Sequence, residues 1–190
     1  MTDALVATKK LLVLDLDETL VHTVEQPLAG LEPDLYVGEY IVYKRPHVDT
    51  FLTRASVLYN LAIWSKGGTG YVVPTVRELM KAHPQPLFVW SFPRCTRRFD
   101  REAWQEYHIK DLKKVRSQGF PKERTLIVDD DPRNAERNFG NAITIEPFNG
   151  EKDDRELLYL AEYLESLASA PNFRTIEKRY WREQFARRKA

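Results

Sequence analysis

Four short apolar runs recur along the chain, at 10–14, 58–64, 125–128 and 142–145. Each run is about the length of a strand and ends abruptly at polar residues. Short, continuous apolar runs of this kind are typical of strands that are buried on both faces of a parallel sheet. We therefore predict that these four segments are the strands of one central sheet.

Helix-like segments alternate with these strands, at 47–55, 72–83, 132–139 and 153–169. Pro74 and Pro132 stand near the start of the second and third segments, where a helix tolerates proline. The last segment begins with acidic residues, which suit a helix N-terminus, and keeps apolar residues three and four positions apart. The alternation predicts an α/β fold, in which a Rossmann-like parallel sheet is flanked by helices.

Three segments interrupt this alternation. Residues 35–46 predict extended chain or a hairpin. Residues 84–109 are aromatic, basic and punctuated by proline, so they predict a short insertion rather than another unit of the sheet. Residues 173–190 predict a basic helical tail. We expect one domain over residues 1–172, with the insertion at about 84–109 and the tail after it.

Composition limits the classes of protein that need be considered. The hydrophobic fraction is 43% and the formal net charge is +1, so the chain is neither disordered nor strongly biased towards one kind of partner. No apolar run approaches the roughly 18 residues that cross a bilayer, and the first ten residues contain no signal-peptide core. The single cysteine, Cys95, fits a reducing compartment. We expect an intracellular protein, cytoplasmic or, in a eukaryote, nuclear, that does not bind membranes.

Polar side chains follow three of the predicted strands. Asp15 and Asp17 follow the first strand, Ser65 follows the second, and residues 129–131, all aspartate, follow the third. The carboxyl ends of parallel strands meet at one edge of a sheet, which is where such sheets bind ligands. Crowded carboxylates need a cation to stay ionised together, and oxygen ligands without Cys or His favour Mg²⁺. The pattern predicts a magnesium site at this edge.

The segment "DLDETL", after the first apolar strand, resembles the first motif of the haloacid dehalogenase superfamily. Within that superfamily, "LDLDETLVHT" and "KRPHVDTFL" resemble the phosphatases of the RNA polymerase II C-terminal domain and the related small, NLI-interacting-factor-like phosphatases. The second, third and fourth motifs are matched in order by "LAIWSKG", "YHIKDLKKV" and "TLIVDDDPRN". The resemblance covers about residues 10 to 170, far more than one short motif.

The resemblance implies a role for each matching residue. Asp15 would be the nucleophile that forms an aspartyl-phosphate. Asp17 would protonate the leaving oxygen and then activate the hydrolytic water. Ser65 would donate a hydrogen bond to a phosphate oxygen, and Lys110 would neutralise the developing charge and hold the nucleophile. Arg94 resembles a family arginine near the phosphate.

The resemblance also implies a Mg²⁺ cofactor. The ion would bridge Asp15, the backbone carbonyl of Asp17 and a carboxylate of the fourth motif. The alignment favours Asp130 as that direct ligand, with Asp129 bonded to Lys110 or to a metal-bound water.

Some positions depart from the family pattern, and others are expected to have structural roles. Ser65 stands where the family often has threonine and is followed by two glycines, while Tyr71 matches a family tyrosine. We expect Thr19 to shape the turn by bonding the backbone, Asp131 to cap a helix that begins at Pro132, and Cys95 to be buried packing. The aromatic residues of the insertion either pack it onto the sheet or form a rim that grips a peptide.

Our leading hypothesis is a Mg²⁺-dependent phosphoprotein phosphatase that acts on Ser/Thr or Tyr phosphate monoesters. No segment is long enough for a large cap domain, so the open site would admit a phosphorylated protein or peptide. We expect a monomer that does not bind nucleic acid. The alternatives are a small-molecule or nucleic-acid 3′-phosphatase and, outside enzymes, a phosphoacceptor or phosphopeptide-binding module.

Overall fold

The computed structural model describes residues 9–183, and a parallel sheet lies at the centre of this part of the chain. In chain order the elements are β1 (Lys10–Leu14), β2 (Val21–Val24), β3 (Leu35–Val37), β4 (Tyr40–Lys44), α1 (Val48–Leu58), β5 (Tyr59–Trp64), α2 (Thr69–Leu79), β6 (Val89–Trp90), β7 (Thr96–Asp100), β8 (Gln105–Ile109), α3 (Lys113–Arg116), β9 (Thr125–Asp129), β10 (Ala142–Thr144) and α4 (Glu156–Leu167).

The central sheet has the order β10-β9-β1-β5-β6, and all of its pairings are parallel. Its register sets Leu14 of β1 beside Ile63 of β5 and Val128 of β9. The strands therefore end at nearly the same level, which brings the residues that follow them to one edge. The four strands predicted from the apolar runs are confirmed.

Two hydrophobic cores cover the two faces of this sheet. Alternate residues of β1 point to opposite faces, so Leu12 and Leu14 join one core while Leu11 and Val13 join the other. The first core contains the apolar faces of α1, α2 and α4. The second contains Leu112 and residues of α3 and the turn at Pro132–Ala135. The predicted α/β fold, a parallel sheet with helical segments on both faces, is confirmed.

Antiparallel strands form two smaller sheets outside the central one. Strands β2, β4 and β3 pair in that order, and β3 with β4 forms a hairpin, which is one of the two alternatives predicted for 35–46. Strands β7 and β8 form a separate hairpin whose second strand ends at Ile109. This hairpin places Lys110 directly after its last residue.

Two sequence predictions were wrong in detail. Val89–Trp90 adds a fifth strand to the central sheet, so part of the predicted insertion is a unit of the sheet. Two residues are too short to show a pattern, and this strand is fixed by packing of Trp90 on Trp64, with ring centroids 4.9 Å apart. Residues 132–139 do not form an α-helix. They contain the 3₁₀ turn Pro132–Ala135, which is followed by another at Phe139–Asn141.

The segment after α4 packs back on the domain as far as it is described. Phe173 begins a 3₁₀ turn and is buried, and Trp181 is also buried. The Trp181 indole donates a hydrogen bond to the Thr144 carbonyl at 2.8 Å and stacks on Tyr163. Residues 184–190 of the predicted tail lie outside the described residues, as do residues 1–8. The domain boundary at residue 172 stays a prediction.

None of the helices in residues 9–183 has the length and apolar character needed to cross a membrane.

Candidate active site

Asp15 and Asp129 meet at the carboxyl edge of the central sheet. Asp15 follows β1, and its backbone N–H donates to the Val128 carbonyl of β9 at 3.0 Å. Asp129 is the last residue of β9. Both side chains are buried, with 5% and 2% of their residue surfaces exposed. The parallel register therefore buries two carboxylates side by side, which is costly unless a cation accompanies them.

Lys110 supplies a positive charge between these carboxylates. Its side chain is fully buried, and Nζ lies 2.5 Å from Asp15 Oδ1 and 2.8 Å from Asp129 Oδ2. Burial alone would lower the pKa of Lys110, but the two carboxylates together raise it above its usual value. The ammonium group therefore stays charged and holds both acids.

Two asparagines fix the backbone on either side of Lys110. The Lys110 N–H donates to the Asn134 carbonyl at 2.8 Å, and the Lys110 carbonyl accepts from Asn138 Nδ2 at 2.7 Å. The side chain of Asn134 also donates to Asp129 Oδ1 at 2.7 Å. Sequence reasoning assigned no role to either asparagine. The two asparagines stand four residues apart, shortly after the acidic run, and this was the only sequence feature that could have pointed to them. The spacing did not specify Lys110 or Asp129 as a partner.

A third carboxylate completes a group that can hold a metal ion. Asp15, Asp129 and Asp130 each offer an oxygen, and these oxygens all lie within 4.8 Å of one another. Burial raises the pKa of Asp15 well above its ordinary value and Asp129 raises it further, while Lys110 lowers it. Burial, followed by Asp129, also raises the pKa of Asp130. Three carboxylates around one ammonium leave an excess of negative charge, and oxygen-only donors fit Mg²⁺.

Asp129 and Asp130 differ in how many partners they already have. Asp129 receives hydrogen bonds from Lys110, Asn134 and the Asp131 backbone. Asp130 is half-buried, and within residues 9–183 no lysine or asparagine side chain donates to it as Lys110 and Asn134 donate to Asp129. Asp131 accepts from the Arg133 backbone at 2.9 Å, so it caps the turn at Pro132. It does so on a 3₁₀ turn, because the predicted α-helix is absent.

Asp17 is held apart from the three-carboxylate group by two hydroxyls. Ser65 Oγ donates to Asp17 Oδ2 at 2.9 Å, and the Tyr71 hydroxyl donates to Asp17 Oδ1. Burial, and then the charge of Asp17, raise the pKa of Tyr71, so its phenol keeps the proton that it donates. Thr23 supports the Tyr71 hydroxyl through a 2.6 Å hydrogen bond. Hydroxyl groups from the end of β5 and from α2 thus fix the orientation of the Asp17 carboxylate.

Ser65 has a different contact from the one implied by the family resemblance. Its only proton is donated to Asp17, while its oxygen accepts from the Gly67 backbone at 2.8 Å. The residue is fully buried. In this structure Ser65 therefore orients Asp17, and a hydrogen bond from it to a phosphate would require the hydroxyl to turn.

Arg94 is not brought into this group of side chains. Its guanidinium lies 4.9 Å from the centroid of the Trp90 ring, and its carbonyl accepts from Lys114 Nζ at 2.7 Å. Among residues 9–183, no hydrogen bond or ion pair of the Arg94 side chain reaches Asp15 or Lys110. Its position near a bound phosphate stays a prediction.

Two further expectations have clear outcomes. The Thr19 hydroxyl is buried without a hydrogen-bond partner among the described residues, so the prediction that it bonds the backbone was wrong. The Thr19 carbonyl instead accepts from Arg45 at 3.3 Å, which fixes the turn from outside. Cys95 is buried, and burial raises the pKa of its thiol, as expected for a packing residue.

A groove opens beside Asp17 and leads into solvent. It has a volume of about 630 Å³, and its lining includes Glu25 just after β2, Tyr40 of β4, Gly68 just before α2 and Tyr71 of α2. Within the described residues, the segment between β6 and Lys110 forms a hairpin and no large cap. The aromatic residues of the insertion divide between the two predicted alternatives, because Trp90 packs inside while Phe92, Phe99 and Trp104 are exposed.

A family model and several known proteins match this chain. Residues 10–174 match the family model described as NLI interacting factor-like phosphatase. A human CTD small phosphatase-like protein is 30% identical over 169 residues, which are 84% of this chain and 56% of the relative. Phosphatase Herzog of Drosophila melanogaster is 31% identical over 169 residues, 84% of this chain and 44% of the relative. The chain spans about half the length of such relatives.

A solved structure shows the same fold. Fcp1, an essential RNA polymerase II CTD phosphatase, superimposes with a TM-score of 0.57 at 16% sequence identity, covering 96% of this chain and 62% of that chain. At this level of identity the similarity concerns the fold alone.

Proposed function

The chain belongs to the NLI interacting factor-like phosphatase family, and from that membership we propose that it hydrolyses phosphate monoesters on proteins through a phosphoryl-enzyme intermediate at Asp15. One observation carries the proposal. A buried lysine, Lys110, contacts both Asp15 and Asp129, and Asp130 stands close enough to share a cation with them. A carboxylate can approach a phosphate dianion only where such positive charge is concentrated.

The residues present fit a Mg²⁺ ion. Asp15, Asp130 and the backbone carbonyl of Asp17 would hold it, because Asp129 already accepts from Lys110 and Asn134. When bound, the ion would neutralise charge on the transferring phosphoryl group. Lys110 would supply a second positive charge beside Asp15.

Asp15 and Asp17 divide the proposed chemistry between them. A carboxylate oxygen of Asp15 attacks phosphorus, and the bond from phosphorus to the leaving oxygen breaks while Asp17 donates a proton to that oxygen. Asp17, now a carboxylate, then removes a proton from water. The water oxygen attacks phosphorus, the bond to Asp15 breaks, and inorganic phosphate leaves with both side chains restored.

The groove beside Asp17 supports a substrate larger than a metabolite. It is open to solvent, and no large cap encloses it within the described residues. A phosphorylated serine, threonine or tyrosine of a protein would enter beside Asp17, which lines the groove, while its neighbouring residues lie along the groove. The human relative named as a CTD small phosphatase-like protein supports this substrate class.

Turnover of para-nitrophenyl phosphate tests the proposal. We expect activity with Mg²⁺, and we expect Asp15→Asn to reduce kcat by at least about 10⁴-fold, as removal of a nucleophile does in other enzymes. Asp153→Asn makes the same chemical change at an exposed position and should leave kcat unchanged. Full activity in Asp15→Asn would refute the proposed nucleophile.

A panel of substrates then tests the proposed substrate class. Phosphoserine, phosphothreonine and phosphotyrosine peptides should be hydrolysed with higher kcat/KM than nucleotides, 3′-phosphorylated oligonucleotides or sugar phosphates. Preference for any of the last three would favour the alternative enzyme classes.

A further inference from the structure

A basic cleft lies away from the groove beside Asp17. It has a volume of about 620 Å³ and contains five cationic side chains, those of Lys113, Arg116, Lys122, Arg137 and Arg174. Only two carboxylates, Asp111 and Glu123, line it as well. The formal charge of the whole chain is +1, so the positive charge of the cleft is local and does not reflect a basic protein.

Most of this charge is not neutralised within the protein. Arg137 pairs with Asp111 at 3.3 Å. Within residues 9–183, no carboxylate lies at ion-pair distance from the side chains of Lys113, Arg116, Lys122 or Arg174. Four cations that share one concave surface repel one another, and an anion that enters the cleft relieves this repulsion.

The part of the cleft around Lys122 is separate from the proposed catalytic group, whereas Asp111, which also lines the cleft, directly follows Lys110. Lys122 belongs to the 3₁₀ turn Lys122–Arg124, which directly precedes β9, whereas Asp129 is the last residue of β9. The strand from Thr125 to Asp129 spans about 13 Å. A group bound near Lys122 therefore lies at the opposite edge of the sheet from Asp15 and cannot be the phosphate that is hydrolysed there.

The chemistry of the lining favours a polypeptide as the anion. None of the residues that line the cleft is aromatic, so it lacks the stacking platform with which proteins grip single-stranded nucleic acid. The surface is concave, and its one apolar lining residue is the compact Pro121, so it offers no large apolar side chain for insertion into lipid. A flexible chain that carries carboxylates or phosphoryl groups can follow such a cleft and pair with its lysines and arginines.

We propose that this basic cleft is a docking site for an acidic or phosphorylated polypeptide segment. If that segment belongs to the substrate, an interpretation that rests on the proposed function, it lies at least about four extended residues from the phosphorylated side chain, because four residues are needed to span about 13 Å. The cleft would then hold substrates that carry a second cluster of negative charge.

Binding to a catalytically inactive protein tests the docking site alone. In the full chain with Asp15→Asn, fluorescence anisotropy would follow a labelled oligoglutamate peptide and a peptide with several phosphoserines. The pair Lys122→Glu and Arg174→Glu should weaken binding of both by at least about tenfold. The matched pair Arg77→Glu and Lys81→Glu, on and just after α2 and exposed, makes the same change in net charge and should alter binding less than about twofold.

Other results would overturn the proposal. If the two double variants lost peptide affinity equally, net charge, and not the cleft, would determine binding. Tighter binding of a labelled oligouridylate than of the peptides, lost in the cleft pair, would identify nucleic acid as the partner. Absence of peptide binding to the parent Asp15→Asn protein would also reject the site.

Kinetics separate this proposal from the proposed function. The cleft pair should keep the wild-type kcat/KM for para-nitrophenyl phosphate, because this compound does not extend to the cleft. The KM should rise about tenfold for a phosphopeptide whose acidic tract lies beyond four residues, and should not change for the same peptide without the tract. An unchanged KM for the long peptide would overturn docking of substrates. Absence of all turnover would reject the proposed function and leave the binding measurement interpretable.

Discussion

At the scale of single residues, Asp17 depends on hydroxyl groups from two different elements. Ser65 follows β5 and Tyr71 lies in α2, yet both donate to the same carboxylate. Since the two hydrogen bonds occupy different oxygens of Asp17, they fix the plane of the carboxylate. Tyr71 is therefore a positioning residue for the proposed proton transfer, acting through Asp17.

Removal of the Tyr71 hydroxyl tests this role. We expect Tyr71→Phe to lower kcat for a phosphoserine peptide by about tenfold or more, because a displaced acid protonates the leaving oxygen less well. The loss should be much smaller for para-nitrophenyl phosphate, whose leaving group needs no proton. Steady-state kinetics with both substrates would measure the difference.

Tyr40→Phe is the matched control for this variant. Tyr40 packs edge-to-face against Tyr71, with ring centroids 5.3 Å apart, and lines the same groove. The Tyr40 hydroxyl makes no hydrogen bond to Asp17, which accepts its hydrogen bonds from the hydroxyls of Ser65 and Tyr71. In Tyr40→Phe, the kcat values for the phosphoserine peptide and for para-nitrophenyl phosphate should both stay near those of the wild type. Equal losses with both substrates in Tyr71→Phe would mean that the residue serves only to pack the groove.

Lys110 links catalysis and stability at one position. We expect Lys110→Met to abolish turnover and to lower the free energy of unfolding by about 3–5 kcal/mol, because it leaves the buried Asp15 and Asp129 carboxylates without their cation. Urea denaturation without Mg²⁺ would measure the change. Asp15→Asn, which keeps the contact between Lys110 and Asp129, should cost far less stability, and equal losses in the two variants would contradict this account.

At the scale of elements, a buried arginine ties the loop after β1 to the start of α4. Arg45 follows β4, and its guanidinium donates to both carboxylate oxygens of Asp154, at 2.9 and 2.7 Å. The same group donates to the carbonyls of Glu18 and Thr19, at 3.4 and 3.3 Å. The loop that carries Asp17 is thereby held by a contact from outside the active site.

Arg45→Met should show how much this tie stabilises the fold. We expect the free energy of unfolding to fall by about 3–5 kcal/mol, because Asp154 would keep a largely buried charge without a partner. Arg54→Met removes a similar pair with Glu165 that is partly exposed, and it should cost less than about 1 kcal/mol. Similar urea midpoints for the two variants would disprove a special role for Arg45.

The elements that sequence predicted best are those whose own residues decide their structure. Strand β1 is buried on both faces, so its apolar run is visible without knowledge of its neighbours. Strand β6 has only two residues and exists because Trp90 packs on Trp64 across the sheet. The turn at Pro132 is also decided by contacts with distant residues. Asn134 and Asn138 donate hydrogen bonds to Asp129 and to the Lys110 carbonyl, and the sequence pattern that predicted an α-helix does not reveal these bonds.

Some contacts of the candidate site could be predicted from the sequence, and others could not. Asp15 and Asp129 could be placed together because both end parallel strands. The donors to Asp17 could not be predicted from spacing, because the Tyr71 contact depends on how α2 packs beside the loop after β1. Likewise, the partners of Arg45 lie 26 to 109 residues away along the chain.

At the scale of the whole molecule, the three-carboxylate group should couple metal binding to stability. A ligand that binds only the folded protein stabilises it by about 2.7 kcal/mol at a hundred times its Kd. For a chain of this size we therefore expect saturating Mg²⁺ to raise Tm by about 5–10 °C, as measured by differential scanning calorimetry.

Two neighbouring aspartates provide the comparison for this shift. Asp130→Asn should remove most of it, because Asp130 belongs to the group that can hold the ion. Asp131→Asn should preserve it, because asparagine can still cap the turn as Asp131 does. A shift that survives in Asp130→Asn and disappears in Asp131→Asn would show that the ligand has been assigned to the wrong residue.

The identity of the nucleophile can be tested most directly in the Asp17→Asn variant. Para-nitrophenolate leaves without a proton, so the variant should still transfer the phosphoryl group to the enzyme, but it lacks the base that activates water. We predict a burst of about one para-nitrophenolate per active site and, by mass spectrometry of the quenched protein, a phosphoryl group on Asp15. A burst with the phosphoryl group on any other residue, or turnover that never passes through a phosphorylated protein, would contradict the account.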